Sequence, residues 1–260
     1  MFFSAATEPG RRDSPNEDWM AISPTMAIVL DGVTVFKDVE TGCIHGTPWY
    51  VNHLGTRLLA AASDAETSLT HALRTAISSV AGLHADVCDL DQTGAPSAAV
   101  GAVRITDQFI EYLVLADVTI ALSSIHGLTV VSDERVDSTI EDLAKRNIFS
   151  AEVMKRRERY RNKQGGYWVA AADPDVAEHA KVGRLPLDGF TCAAIMSDGV
   201  SRLVSPFEQT DWPGMLRLVQ EVGPAALIDH IRAVESGDIE KTRWPRFKVS
   251  DDATIVLVSD

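Results

Sequence analysis

The sequence predicts an α/β sandwich in which two mainly antiparallel β-sheets pack on each other and helices flank them, a four-layer αββα arrangement. Three observations predict it. Short apolar runs bounded by turn residues are grouped along the chain, a pair of amphipathic helical segments is interpolated after the first of them, and helical stretches near the C-terminus precede a last apolar run, ATIVLVS. Strands grouped around helices in this way fit stacked sheets better than a parallel sheet built from alternating βαβ units.

Taken in order, WMAISPTMAIVL from Trp19 to Leu30 reads as two short strands broken at Ser23-Pro24, and the second delivers an acid to a turn at Asp31-Gly32. Between Thr47 and Leu90 the spacing of Trp49, Val51, Leu54, Leu58 and Leu59, then of Leu69, Leu73, Ile77 and Val80, is helical, with Ser63-Asp64 separating two helices. SAAVGAVRIT, FIEYLVLADVTIALSSI and LTVVSD follow as strand-like runs with turns at Thr106-Asp107 and His126-Gly127, and such close turns predict an antiparallel meander. Residues 138–163 are charged and helical in character, and Gly165-Gly166 stops them before the apolar YWVAAA; the 138–166 stretch is expected as a surface insertion or flap. TCAAIMSDGV then repeats the pattern of an apolar strand ending at Asp-Gly, with helical stretches from about Pro213 to Val234 after it.

With 260 residues and no break in composition, one domain spanning 1–260 is expected. Apolar residues at 45% and charged residues at 23% exclude the disordered, collagen-like and coiled-coil classes. A net charge of -13 argues against nucleic acid and anionic membranes as partners, which call for clustered Lys and Arg, and suits a protein that gathers divalent cations. Cys43, Cys88 and Cys192 are odd in number, far apart and free of CxxC spacing, so the sequence indicates neither a disulfide framework nor a thiolate zinc site. A reducing cytoplasm fits. The opening MFFSAATEPGRRD is too short in apolar residues for a signal segment, and no stretch approaches the ~20 needed to cross a bilayer.

Four acidic clusters stand at strand ends: Asn16-Glu17-Asp18 before the first strand, Asp31-Gly32 after the second, Asp198-Gly199 after a late strand, and Asp251-Asp252 before the last. Any one Asp-Gly is equally well a turn, and any one Asp a cap. Together, carboxylates aligned at one sheet edge repel one another unless cations neutralise them, and hard oxygen ligands favour Mg²⁺ or Mn²⁺. Glycine after Asp31 and after Asp198 lets the backbone turn sharply there. No P-loop, GxSxG elbow, HExxH or paired CxxC is present.

The ordered series NED, strand plus DG, strand plus SDG, DDAT plus strand resembles the motif series of the type 2C metal-dependent serine/threonine protein phosphatases, from Asn16 to Val258. That resemblance implies a metal-dependent phosphomonoester hydrolase with two Mn²⁺ or Mg²⁺ ions, acting on phosphoserine and phosphothreonine proteins. By the same resemblance Asp31 bridges both cations and Gly32 offers its carbonyl to one. Asp198 and Asp251 bind the other, and Glu17 and Asp18 hold a cation directly or through water. Two cations about 3.5–4 Å apart lower the pKa of a shared water from 15.7 toward about 7, so the expected reaction is in-line attack without a covalent enzyme intermediate. Asp31 and Asp198 would carry that reaction.

The chain also departs from the family pattern. The place of the phosphate-binding Arg before the acidic pair is taken by Asp13, with Arg11 and Arg12 just upstream, and Arg12 is the candidate for phosphate. Val33-Thr34-Val35 replaces the Gly-rich stretch or the proposed general-acid His after the first DG. His45 is the remaining candidate for protonating the leaving group, or a structural hydrogen-bond partner. Ala116-Asp117-Val118-Thr119 stands where a GDSR-like turn is usual, and Asp252 where Asn is usual. Tyr167 and Trp168 are either flap residues or buried core. These departures leave a second reading, a non-catalytic phosphatase-like module that binds phosphoproteins.

Overall fold

The structure is a computed structural model and describes residues 1–34, 39–92, 94–136 and 157–260. Among these residues ten strands form two five-stranded sheets whose strand pairs are all antiparallel. The first sheet runs β1 (Phe2–Glu8), β10 (Ala253–Ser259), β9 (Phe190–Met196), β6 (Thr119–Ser124), β7 (Gly127–Val131). The second runs β2 (Trp19–Ser23), β3 (Met26–Gly32), β4 (Ala98–Ile105), β5 (Phe109–Leu115), β8 (Lys181–Pro186). Helices α1 (Thr47–Ala62) and α2 (Leu69–His84) cover the second sheet, with a 3-10 helix, Pro174–His179, against α2. On the first sheet lie the short α3 (Asp198–Ser201) and the longer α4 (Trp212–Val222) and α5 (Pro224–Ser236). The expected four-layer αββα sandwich is the observed one.

Side-chain alternation builds three apolar layers from single strands. In β3, Met26, Ile28 and Leu30 face Leu54, Leu58, Leu73 and Ile77 of the helical pair. Ala27 and Val29 face the other sheet, where they join Val118, Ile195, Val256 and Val258. In β10 the complementary set, Ala253, Ile255 and Leu257, packs with Leu216, Val219, Leu227 and Ile231. Strands buried on both faces have no polar side, which is why β3, β9 and β10 stand out as unbroken apolar runs.

Two expectations change. The middle strands do not form one meander: β4 and β5 pair in the second sheet and β6 and β7 in the first, and the chain crosses between sheets at Ala116, whose φ is 66°. Edge strands β1 and β8 went unread because they are half solvent-exposed and lack a long apolar run. Most of the expected 138–166 flap, residues 138–156, lies outside the described residues. Beyond it Tyr167 is buried between the sheets, and Trp168, partly buried on the helical side, stacks on His179 at a centroid distance of 3.4 Å.

Arg104 locks the helical layer onto the second sheet. Only 4% exposed, it pairs with its cross-strand neighbour Glu111 at 2.7 Å, and its Nη1 donates to the carbonyls of Ala62, Asp64 and Thr67 where α1 ends. The Ala62 carbonyl is one that a helix C-terminus leaves unpaired, and those of Asp64 and Thr67 belong to the connection into α2. Arg104→Ala is expected to lower unfolding free energy by about 3 kcal/mol, the scale for breaking a buried charged network, as read from urea denaturation.

Candidate functional site

Antiparallel pairing puts the end of one strand beside the start of the next, and this brings the acids together. Trp19 pairs with Leu30, so Asp18, just before β2, emerges beside Asp31 at the end of β3. Ile255 pairs with Met196, so Asp251 and Asp252, before β10, emerge beside the Ser197-Asp198 turn after β9. The two sheets meet at this same end, where the Asp198 backbone N–H donates to Asp31 Oδ2 at 3.2 Å. Asp117, just before β6, is near enough to act electrostatically on Asp31.

Polar contacts fix the cluster. Ser197 Oγ donates to Asp18 Oδ2 at 2.8 Å and accepts from the Thr254 N–H at 2.9 Å, tying the acidic pair to the last strand. Asp252 accepts from the backbone N–H groups of Gly10 (2.7 Å) and Glu17 (2.6 Å), so it clasps the N-terminal segment. Thr34 Oγ1 donates to Glu17 Oε2 and accepts from Lys248 Nζ at 2.8 Å. The glycines serve close approach: a Cβ on Gly32 would overlap the Glu17 carbonyl oxygen and the Thr47 methyl, and one on Gly199 the Asp252 carbonyl oxygen. Neither has positive φ, so crowding rather than a left-handed turn requires Gly there.

Among the described residues, two cationic side chains face the acids. Arg202 reaches Asp251 Oδ2 at 3.4 Å and Asp198 Oδ1 at 3.9 Å while its Nη1 binds Glu235 at 3.0 Å; Glu235 is wholly buried and is also held by Arg232 at 2.8 Å. Lys248 Nζ donates to Asp251 Oδ1 at 2.6 Å. The loop carrying Lys248 is organised by Asp238, whose carboxylate accepts the N–H groups of Thr242, Arg243 and Trp244 and binds Arg246 at 2.6 Å.

Charge is nevertheless left over. Burial, with Asp252 and Asp198 nearby, pushes Asp18 up to about 8 despite its bonds to Ser197 and Thr254. Burial and the neighbouring Asp18, Asp198, Asp117 and Asp251 push Asp31 far above the carboxylate range. Glu17 is raised by burial against the pull of Thr34 and Lys248. Asp198 keeps 44% of its side-chain surface in solvent, yet surrounding protein and then Asp251 hold it up against Arg202 and Lys248. Burial would raise Asp251 too, but Lys248 and Arg202 outweigh it and hold it below the usual range.

The structure thus brings Asp18, Asp31, Asp198 and Asp251 to one end of the sandwich, with Glu17 and Gly32 beside them. Arg12 lies instead in an exposed turn, Arg11–Ser14, and makes no hydrogen bond or ion pair among the described residues. His45 has other neighbours: its ring stacks on Trp49 and its Nδ1 lies 3.4 Å from Cys88 Sγ. Cys43 and Cys88, far apart in sequence and free of CxxC spacing, nevertheless meet in the fold, 3.4 Å apart. Lys248 and Arg202 were missed from sequence. Their signal was local, a Lys three residues before Asp251 and an Arg four after Asp198, and it needed the folded turns to gain meaning.

No protein-family model matches the chain, and no curated protein matches it. Solved structures do. The catalytic domain of the serine/threonine protein phosphatase PstP in complex with two manganese ions is 15% identical, with a TM-score of 0.58 over 99% of this chain and 97% of that one. PstP/Ppp from Mycobacterium tuberculosis gives 14% and 0.58 with the same coverage. Stp1 from Staphylococcus aureus gives 13% and 0.56 over 99% of this chain and 94% of that one. The chain therefore has the fold of these serine/threonine phosphatases, as the motif series led us to expect.

The raised carboxylates make stability depend on pH. In the unfolded chain Asp18 loses its proton near the ordinary value of 3.8, in the metal-free fold only near 8, so the fold binds the extra proton across that window. Metal-free stability should fall as pH rises from about 5 to about 8. Asp251, shifted the other way, contributes stability that is lost only at pH below this window. Thermal unfolding should show a lower Tm at the higher pH, a flatter profile for Asp18→Asn, and a larger gain from Mn²⁺ at the higher pH; a pH-independent Tm would contradict the assignment.

Proposed function

We propose that the chain is a metal-dependent phosphomonoester hydrolase acting on phosphoserine and phosphothreonine in proteins. The observation that carries this reading is the convergence of carboxylates from four separate chain segments, on both sheets, at one end of a phosphatase-type sandwich. The donor set fits hard divalent cations: it is all oxygen, and its carboxylates are buried and mutually repelling. Asp31, the Gly32 carbonyl, Asp198 and Asp251 would hold two Mn²⁺ or Mg²⁺ ions, with Glu17 and Asp18 contributing directly or through water. When bound, such ions acidify a water and draw charge from the phosphoryl oxygens.

The chain's own residues have separable tasks. Ser197 and Thr254 orient Asp18, and Thr34 orients Glu17. Arg202, anchored on buried Glu235, holds Asp198 and Asp251 in place from behind. Lys248, 41% exposed, is kept protonated by Asp251 against the opposing effect of burial, and presents a positive charge where a phosphate would approach. Arg12, unpaired on the turn that leads into Glu17, would add a second contact to the phosphate from the solvent side. The shared apolar layers support reading 1–260 as one catalytic unit. The reduced thiols suit a cytoplasmic setting, and no helix among the described residues is long and apolar enough to cross a membrane.

Hydrolysis of p-nitrophenyl phosphate and of phosphoserine and phosphothreonine peptides should require Mn²⁺ or Mg²⁺ and stop with chelator. Asp31→Asn and Asp198→Asn should each cost roughly a thousandfold in kcat, the scale of losing a strong electrostatic contributor. Lys248→Met should cost about tenfold to a hundredfold in kcat/KM, as loss of a supporting partner does. Phosphopeptide binding without turnover in saturating Mn²⁺ would overturn the hydrolase reading in favour of a binding module.

A further inference from the structure

Four side chains that the hydrolytic reaction does not use converge outside the acid cluster. Cys43 and His45 lie on the segment leading into α1; His84 is the last residue of α2, and Cys88 follows about one helical turn later. Cys43 Sγ is 3.4 Å from Cys88 Sγ, 3.4 Å from His84 Nδ1 and 3.6 Å from His45 Nδ1, and Cys88 Sγ is 3.4 Å from His45 Nδ1. One ligand atom from each of the four residues lies within 4.8 Å of the others, and among the described residues no other group of three or more His, Cys, Asp or Glu does so.

The three S–N separations are close to the edges of a coordination tetrahedron, and the S–S separation is somewhat shorter. With Zn–S at about 2.3 Å and Zn–N at about 2.05 Å, neighbouring ligand atoms stand about 3.6 Å apart for S and N and about 3.8 Å for two S. A disulfide would need the sulfurs at about 2.05 Å. A thiol is only a weak hydrogen-bond partner, so hydrogen bonding gives little reason to gather two thiols and two imidazoles here.

The backbone holds this arrangement from both sides. Gly42, at φ 63°, offers its carbonyl to the Asp89 N–H at 2.8 Å, and a Cβ there would strike the Asp89 carbonyl oxygen. Thr41 Oγ1 donates to the Cys43 carbonyl at 2.9 Å and accepts its N–H at 3.2 Å. The N–H groups of Val87 and Cys88 both reach the His84 carbonyl, which keeps His84 and Cys88 on one face. Trp49 packs over both imidazoles, with centroids 4.2 Å from His45 and 5.0 Å from His84.

We propose that Cys43, His45, His84 and Cys88 form a structural zinc site, binding one Zn²⁺ through two thiolates and two imidazole Nδ1 atoms. Four protein ligands complete a tetrahedron and leave no open position, so the site holds structure and does not perform chemistry. Two thiol protons leave to solvent as the ion binds. Soft sulfur and nitrogen donors here and hard oxygen donors in the acid cluster would sort two kinds of metal within one chain. The zinc ties the segment before α1 to the end of α2, and Gly46 and Thr47 follow immediately, with the Thr47 methyl packed against Gly32.

The test is metal content. Full-length protein, purified untagged in reducing buffer without chelator, should carry about one zinc per chain by inductively coupled plasma mass spectrometry. That zinc should persist through gel filtration in excess Mn²⁺, remain in Cys192→Ser and be lost in the Cys43→Ser, Cys88→Ser double variant. Because the double variant can fail to fold, a second readout uses the wild-type chain: depleted of metal and given Co²⁺, it should show the thiolate-to-cobalt charge-transfer band and the intense visible absorption of a tetrahedral site, both removed by Zn²⁺ and untouched by Mg²⁺. Wild-type protein without zinc and without that band would overturn the proposal. So would a Cys43–Cys88 disulfide in protein alkylated at lysis.

Discussion

Asp18 and Asp31 belong to one sheet, Asp198 and Asp251 to the other, and the sandwich presses them together at one end. Like charges so placed oppose the packing that brings them there, and much of the surrounding structure answers that conflict. Arg202 is drawn in from one side and fixed by buried Glu235; Lys248 is brought from the other by a loop wound around Asp238. Ser197 and Thr254 satisfy one carboxylate, and Asp252 is spent on backbone N–H groups instead of joining the crowd. Asp18 and Asp31 remain raised after all of this, so positive charge added beside them would favour their ionised forms.

The topology explains how so short a list of residues defines the site. Each acid sits at a strand end or within two residues of one, and antiparallel neighbours deliver those ends in pairs, Asp18 with Asp31 and Asp251 with Asp198. Gly32 and Gly199 then let the paired segments touch. Replacing either glycine would push an acidic segment away from its partner without altering any carboxylate.

Strands and acids were legible in the sequence because each is a local signal. β3, β9 and β10 are buried on both faces and so read as unbroken apolar runs, and an Asp at the end of such a run is conspicuous. The edge strands β1 and β8, exposed and irregular, carried no such signal. The crossing at Ala116 was hidden inside one long apolar run, because a change of sheet there needs only a single positive φ. Lys248 and Arg202 look like ordinary surface charges until the turns around Asp251 and Asp198 are folded. Cys43 and Cys88 show the same limit: 45 residues separate them, and only the packing of α1 on α2 closes the gap. Spacing rules such as CxxC describe sites made by one short segment, and this cluster is made by two.

The central claim is that the carboxylate cluster is a two-cation site, and anomalous diffraction from a crystal soaked in Mn²⁺ tests it most directly. The account predicts two manganese peaks at this end of the sandwich, one bounded by Asp31 and the acidic pair Glu17-Asp18, the other by Asp31, Asp198 and Asp251. A map from a saturating soak with no manganese among these carboxylates would contradict it.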